Sequence, residues 1–267
     1  MPDVAEHYSQ AQLASRLIEA VRSHKGDYPT VDDLAAIDEF HLRGREATME
    51  LAQMAGIGPV DRVLDVGSGI GGPAIKLASD TGCSVVGIDL TPDFVDAASG
   101  LTGLVELQDL VRFEVADALD LPFDHGAFTV VWTQHVSMNI GDKGRLYSEM
   151  HRVLAPGGRL ALYDVLAGNG TPYFPVPWAT SPEQSQLVRP EEARALIEGA
   201  GFSVLRWDDV TQPSLEWLQS MLPKAQARPP LGLHLVMGDR FVPMLENLLR
   251  SLHEGRVRVV TAVAERA

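Results

Sequence analysis

The run Val63-Leu64-Asp65-Val66-Gly67-Ser68-Gly69-Ile70-Gly71-Gly72 constrains this chain more than any other stretch: an apolar strand ends in a carboxylate, enters a glycine turn and continues as a helix. Such a corner is a nucleotide cradle. Glycine lets the backbone take φ > 0 and come within contact distance of a ligand, and the first N–H groups of the next helix lack intrahelical partners. Gly67, Gly69 and Gly72 also spell GxGxxG, the dinucleotide fingerprint, so the corner alone leaves a dehydrogenase open.

The surrounding chain narrows the choice. Ser84-Val85-Val86-Gly87-Ile88 reads as a second strand ending in Asp89, at the distance where such folds set an acid on a ribose diol. A dehydrogenase needs a second mononucleotide half, and no later strand carries another glycine turn. Instead Asp117-Ala118-Leu119-Asp120-Leu121-Pro122-Phe123 and Leu154-Ala155-Pro156-Gly157-Gly158-Arg159-Leu160 follow in order.

With Phe40-His41-Leu42-Arg43-Gly44-Arg45-Glu46-Ala47-Thr48, Trp132-Thr133-Gln134-His135-Val136-Ser137-Met138-Asn139-Ile140 and Pro175-Val176-Pro177-Trp178-Ala179, these stretches resemble the class I S-adenosylmethionine (SAM) dependent methyltransferases. The resemblance runs from about residue 38 to about residue 209. It looks closest to bacterial sarcosine/dimethylglycine N-methyltransferases, with quinone and natural-product methyltransferases as wider relatives. It implies a Rossmann-like α/β fold with a doubly wound seven-stranded sheet whose last strand is antiparallel, and SAM as cofactor with S-adenosylhomocysteine as product.

Strands are expected near 62–66, 84–88, 111–115, 128–132, 159–165, 202–208 and 256–264, and helices near 72–80, 92–108, 142–154 and 190–200. Residues 1–58 read as an N-terminal helical cap segment with one helix near 7–24, and 59–267 as the SAM-binding core. Two insertions interrupt that core: a proline-stiffened lid at 166–189, and 213–254, a cap or dimer element with helices near 214–223 and 237–253.

The resemblance implies that Gly67, Ser68, Gly69 and Gly71 pass the cofactor's amino-acid end, with Asp65 orienting its ammonium and Arg43 closing over its carboxylate. Asp89 takes the ribose hydroxyls, Leu90 packs on adenine, and Asp117 and Ala118 meet its edge. Gln134 and His135 flank the sulfonium. SN2 transfer to carbon demands alignment above all, and a base matters most for a hydroxyl acceptor. His135 is the candidate base, since a neutral imidazole takes a proton near pH 7; Asn139, Trp178 and Tyr28 are further candidate substrate contacts. A betaine-like acceptor would need an arginine anchor, from Arg43, Arg45 or Arg189, and aromatic faces such as Tyr28, Trp178 and Trp217. A wide apolar cavity would instead suit an aromatic, quinol or glycosylated acceptor for O- or C-methylation. A SAM-binding module without catalysis is the remaining alternative.

Composition bounds the partners. The formal net charge is −14, without a basic block to neutralise phosphates, which disfavours nucleic acid. No apolar run reaches membrane-spanning length, and residues 1–7 lack a secretory pattern, so a cytoplasmic protein is expected, with a small-molecule substrate and a possible homodimer. Cys83 is the sole cysteine and no His/Asp/Glu group has metal-ligand spacing, so no metal is expected.

Overall fold

The computed structural model describes residues 12–267; the expected start of the first helix near residue 7 and the reading of residues 1–7 lie outside them. Seven strands form one sheet in the order β3-β2-β1-β4-β5-β7-β6. They are β1 (Arg62–Val66), β2 (Ser84–Asp89), β3 (Val111–Val115), β4 (Phe128–Gln134), β5 (Leu154–Ala167), β6 (Phe202–Asp209) and β7 (Val257–Arg266). β1 to β5 are mutually parallel, and β7 runs antiparallel to both β5 and β6. The expected seven-stranded fold with a reversed last strand is what the chain forms.

Chemistry explains the centre. Val63, Leu64, Val66, Val130, Val131 and Trp132 are fully shielded, because β1 and β4 are covered on both faces and carry continuous apolar runs. Chain reversal at β1 puts the next segment at the C-terminal edge of the sheet, beside the order reversal between β1 and β4, where open α/β sheets bind ligands.

The helices are α1 (Leu13–Lys25), α2 (Val31–Leu34), α3 (Gly44–Ala55), α4 (Gly72–Thr81), α5 (Pro92–Leu104), α6 (Lys143–Val153), α7 (Pro190–Gly199), α8 (Thr211–Gln226), α9 (His234–Met237) and α10 (Phe241–His253). Local signals set several ends. Thr30 and Asp33 form a capping box on α2, and Asp142 caps α6 by accepting from Arg145 N at 2.9 Å.

Three expectations shift. α5 stops at Leu104 rather than 108, where Val105 leaves helical geometry. β5 begins at Leu154, because that residue pairs with Phe128 across an irregular register before the regular ladder starts at Val130. The helix expected over 237–253 is broken at Gly238, whose φ of 69° no helix tolerates, so α9 and a short 3₁₀ turn precede α10.

Both insertions pack over the sheet's C-terminal edge. Trp178 and Val176 share a core with Phe241, Leu245 and Leu248 of α10 and Trp132 and Tyr163 of the sheet. Leu231 and Val236 join Leu13, Leu17 and Val21 of α1. Among the described residues no helix is long and apolar enough to cross a membrane.

Candidate active site

A cavity of about 730 Å³ runs from the glycine turn to the two insertions. Its inner wall is the ends of β1, β2 and β4: Gly67, Ser68, Gly69, Asp89, Leu90, Gln134 and His135, with Asp117 and Ala118 beyond β3. Its outer wall is mostly apolar, with Trp178 from the first insertion and Trp217, Met221, Met237, Phe241 and Leu245 from the second, beside Lys224 and His234.

The turn works through its backbone. Gly67 has φ 75°, and a Cβ there would overlap the Val136 side chain, so the turn carries both a left-handed geometry and a close approach. Asp89 fastens it: Oδ2 accepts from Gly69 N at 3.0 Å and Oδ1 from Thr91 N at 2.9 Å. Burial raises the Asp89 pKa although these N–H groups pull it down.

Buried polar atoms without a hydrogen-bond partner cluster at this end: Asp65 Oδ2, Ser68 Oγ, Gln134 Nε2 and Glu39 Oε1. Asp65 sits just behind the lining at the tip of β1, and burial, with the charges of Asp89 and Glu39, pushes its carboxyl up to about 8. Gln134 is oriented by Trp132 Nε1, which donates to its Oε1 at 3.1 Å, leaving the amide nitrogen as the free donor.

His135 ends β4 at φ 55°, a left-handed corner rare for a residue with a side chain, and its N–H donates to Tyr163 O at 2.7 Å. The ring lies edge-on to Tyr163, 4.6 Å between centroids. Leu42 N approaches Nε2 at 3.5 Å, the limit of a hydrogen bond, while buried Nδ1 has no aligned partner. These neighbours assign the proton of the neutral ring to Nδ1 and leave the lone pair on Nε2. Burial and the nearby His41 hold the His135 pKa well below 6.5.

The other candidates divide. Asn139 lines the cavity from a 3₁₀ turn, and Trp178 lines it with Nε1 donating to Ser185 Oγ at 2.9 Å. Asp117 also lines it, although its Oδ1 already accepts from Leu119 N at 2.8 Å, a turn-capping bond. Three lie off the lining. Tyr28 is 90% exposed. Arg43 turns its guanidinium to Glu50 at 2.7 Å and Glu46 at 3.1 Å, and Gly44 takes the place at the wall. Gly71 sits behind the turn against Phe113 and Ala98.

Sequence reasoning passed over residues 38–40. Asp38, Glu39 and Phe40 all line the cavity, and Phe40 covers Gly69. The available signal was two adjacent acids in the helical register of Leu34, Ile37 and Leu42, a register whose residues are buried.

Residues 64–162 match the methyltransferase-domain family. The chain is 29% identical over 225 residues to the methyltransferase GfsG of Streptomyces halstedii, covering 83% of this chain and 80% of that protein. It is 37% identical over 135 residues to the 27-O-demethylrifamycin SV methyltransferase of Amycolatopsis mediterranei, covering 51% of this chain and 48% of that protein. The geranyl diphosphate C-methyltransferase of Streptomyces coelicolor A3(2), solved with Mg²⁺, geranyl-S-thiolodiphosphate and S-adenosyl-L-homocysteine, superimposes with a TM-score of 0.73 at 22% identity, over 100% of this chain and 99% of that one, a likeness of fold. With that corner and these relatives, residues 64–162 are a methyltransferase domain, and the proteins the chain is similar to are small-molecule methyltransferases.

Proposed function

We propose that this chain methylates a hydroxyl oxygen on a bulky, largely apolar small molecule. One observation carries the reading: the cavity joins the polar cradle to an outer wall of Trp178, Trp217, Met221, Met237, Phe241 and Leu245, and among the described residues no arginine and a single lysine, Lys224 on α8, lines it. A glycine-derived amine would need a cationic anchor for its carboxylate. Of the arginines that might serve, Arg43 is engaged with Glu46 and Glu50 and Arg45 with Asp38 and Asp32, and Arg189 lies outside the cavity lining.

The cradle fits the cofactor on its own unpaired atoms. A free acceptor at Asp65 Oδ2 and free donors at Ser68 Oγ and Gln134 Nε2 complement an α-amino acid zwitterion, and each unpartnered buried group favours a ligand that satisfies it. Asp89 at the end of β2 is set for the ribose, and Leu90 and Asp117 line the space for adenine. Bound there, SAM supplies a methyl made electrophilic by its sulfonium.

Residues of the chain then do three things. The apolar wall excludes water and presses the acceptor toward the cradle, the alignment that SN2 transfer needs. Asn139 orients the acceptor oxygen from the turn after β4. His135 Nε2 exchanges its long contact with Leu42 N–H for the acceptor hydroxyl and takes its proton as the O–C bond forms and the C–S bond breaks.

Incubation with labelled SAM and a panel of hydroxylated apolar natural products, quinols, phenols, sarcosine and dimethylglycine tests the reading, following S-adenosylhomocysteine release and product mass. Turnover on bulky hydroxyl acceptors is expected. Turnover confined to the glycine derivatives would overturn it.

A further inference from the structure

Glu39 lies outside the glycine corner, in the segment between α2 and α3, yet it reaches the same cavity. Its side chain is only 4% exposed, and its two oxygens have different surroundings. Oε2 meets His41 Nε2 at 2.6 Å, and Thr48 Oγ1 donates to it at 3.4 Å. His41 Nδ1 lies 3.1 Å from Leu42 O. The Thr48 hydroxyl also lies 3.1 Å from His41 Nε2, so the ring is fixed by Glu39, Thr48 and the Leu42 carbonyl. Oε1 is left buried with no aligned donor; Arg45 Nε is 3.5 Å away, but the Arg45 fork is turned to Asp38.

A buried carboxylate with one oxygen bonded to a histidine and a threonine and the other without a partner, on a residue that lines the cavity, is a preorganised acceptor for a cation. The cavity already has a claimant. Thr48 Oγ1 also reaches Gln134 Oε1 at 3.4 Å, which puts Glu39 beside the amide with the free Nε2 donor. The charge of Glu39 is felt by Asp65, the other unpartnered acid. The unsatisfied set around Glu39 and Asp65 thus contains two acceptors, Glu39 Oε1 and Asp65 Oδ2, and three donors, Gln134 Nε2, Ser68 Oγ and Arg45 Nε, the last 3.5 Å from Glu39 Oε1 and off hydrogen-bond alignment.

We propose that Glu39, braced by His41, is a recognition residue for the cofactor's ammonium, opposite Asp65. This rests on the reading of the corner as a SAM cradle. Its consequence is selectivity: a ligand with the amino-acid end gains the Glu39 contact, and one without it gains nothing there.

Calorimetric titration of the full chain and of Glu39→Gln with S-adenosylhomocysteine and 5′-methylthioadenosine separates the possibilities, because the second ligand keeps the nucleoside thioether and lacks the amino-acid end. Expected is a loss of about tenfold or more in S-adenosylhomocysteine affinity with methylthioadenosine affinity unchanged, and a partial loss in Glu39→Asp. Unchanged affinity for both ligands overturns the assignment. So does an equal loss for both, which would make Glu39 a brace of the fold. If Glu39→Gln does not fold, Glu39→Asp takes the same test with the same outcomes. Methylthioadenosine binding without any gain for S-adenosylhomocysteine in the unchanged protein overturns the ammonium subsite while keeping the nucleoside cradle; binding of neither ligand overturns the cradle itself.

Discussion

The main-chain carbonyl of Asp38 fills the space that a side chain on Gly72 would need, so the segment before the sheet is seated on the first turn of α4. A glycine at 72 is a packing requirement here, and through it the cradle receives residues 38–42 as its cover.

Gly72→Ala is accordingly expected to destabilise the fold by about 1–3 kcal/mol, the range of overpacking, or to lift residues 38–42 away. Urea denaturation reads the first effect and S-adenosylhomocysteine titration the second. Unchanged stability and affinity together would show that the contact yields without cost.

Asp89 holds the turn, since both of its oxygens accept backbone N–H groups, and in the proposed cradle it also takes the ribose. Asp89→Ala is expected to weaken S-adenosylhomocysteine binding by about 10–100-fold, from ribose hydrogen bonds of roughly 1–3 kcal/mol each, with methylthioadenosine weakened in parallel. A fall confined to S-adenosylhomocysteine would move Asp89 away from the ribose.

Asp65 predicts a pH dependence with a definite sign. Its folded pKa of about 8 stands above the unfolded 3.8, so the free protein keeps a proton that the unfolded chain releases. Its contribution to the free protein's stability is therefore largest below about pH 4 and declines as pH rises toward 8. A ligand ammonium favours the ionised carboxyl, and the thermal shift given by S-adenosylhomocysteine should be larger at about pH 8 than at about pH 6. Asp65→Asn should remove that difference.

His135 should act on turnover and leave the cofactor alone. His135→Ala is expected to lower kcat for a hydroxyl acceptor by about 10²–10⁴-fold with S-adenosylhomocysteine affinity unchanged. Because its pKa lies well below 6.5, acidification should not protonate the base until well below that pH. An acid limb in kcat near 7 would assign proton transfer to another group.

Lys143 ties the first insertion to the turn that carries Asn139. Its buried ammonium donates to Ser137 O and Ile140 O at 2.8 Å and to Gln186 O at 2.6 Å. Lys143→Met leaves three carbonyls short of a donor, each worth about 1–3 kcal/mol if it stays buried. Lower stability and faster hydrogen exchange across 176–186 are expected, with S-adenosylhomocysteine affinity unchanged. Unaltered exchange there would mean that Gln186 N–H donating to Met138 O holds the junction by itself.

The sheet and its glycine corner were legible because both are local: a period of strands, a carboxylate at a strand tip and glycines that permit positive φ are written in consecutive residues. The side of the cavity facing an acceptor was not. Trp178 was anticipated, but its partners Met221, Met237, Phe241 and Leu245 lie over 40 residues downstream and meet it only when both insertions fold over the sheet. Arg43 shows the reverse case, since nothing nearby in sequence told whether its guanidinium would face the cavity or the two glutamates on α3 that hold it. By itself the sequence determined the fold, the glycine corner and the strand-tip acids. Only the tertiary structure decided which acids face each other, which arginines are engaged and how wide the apolar wall stands, because those depend on long-range packing and on the pairing of buried charges.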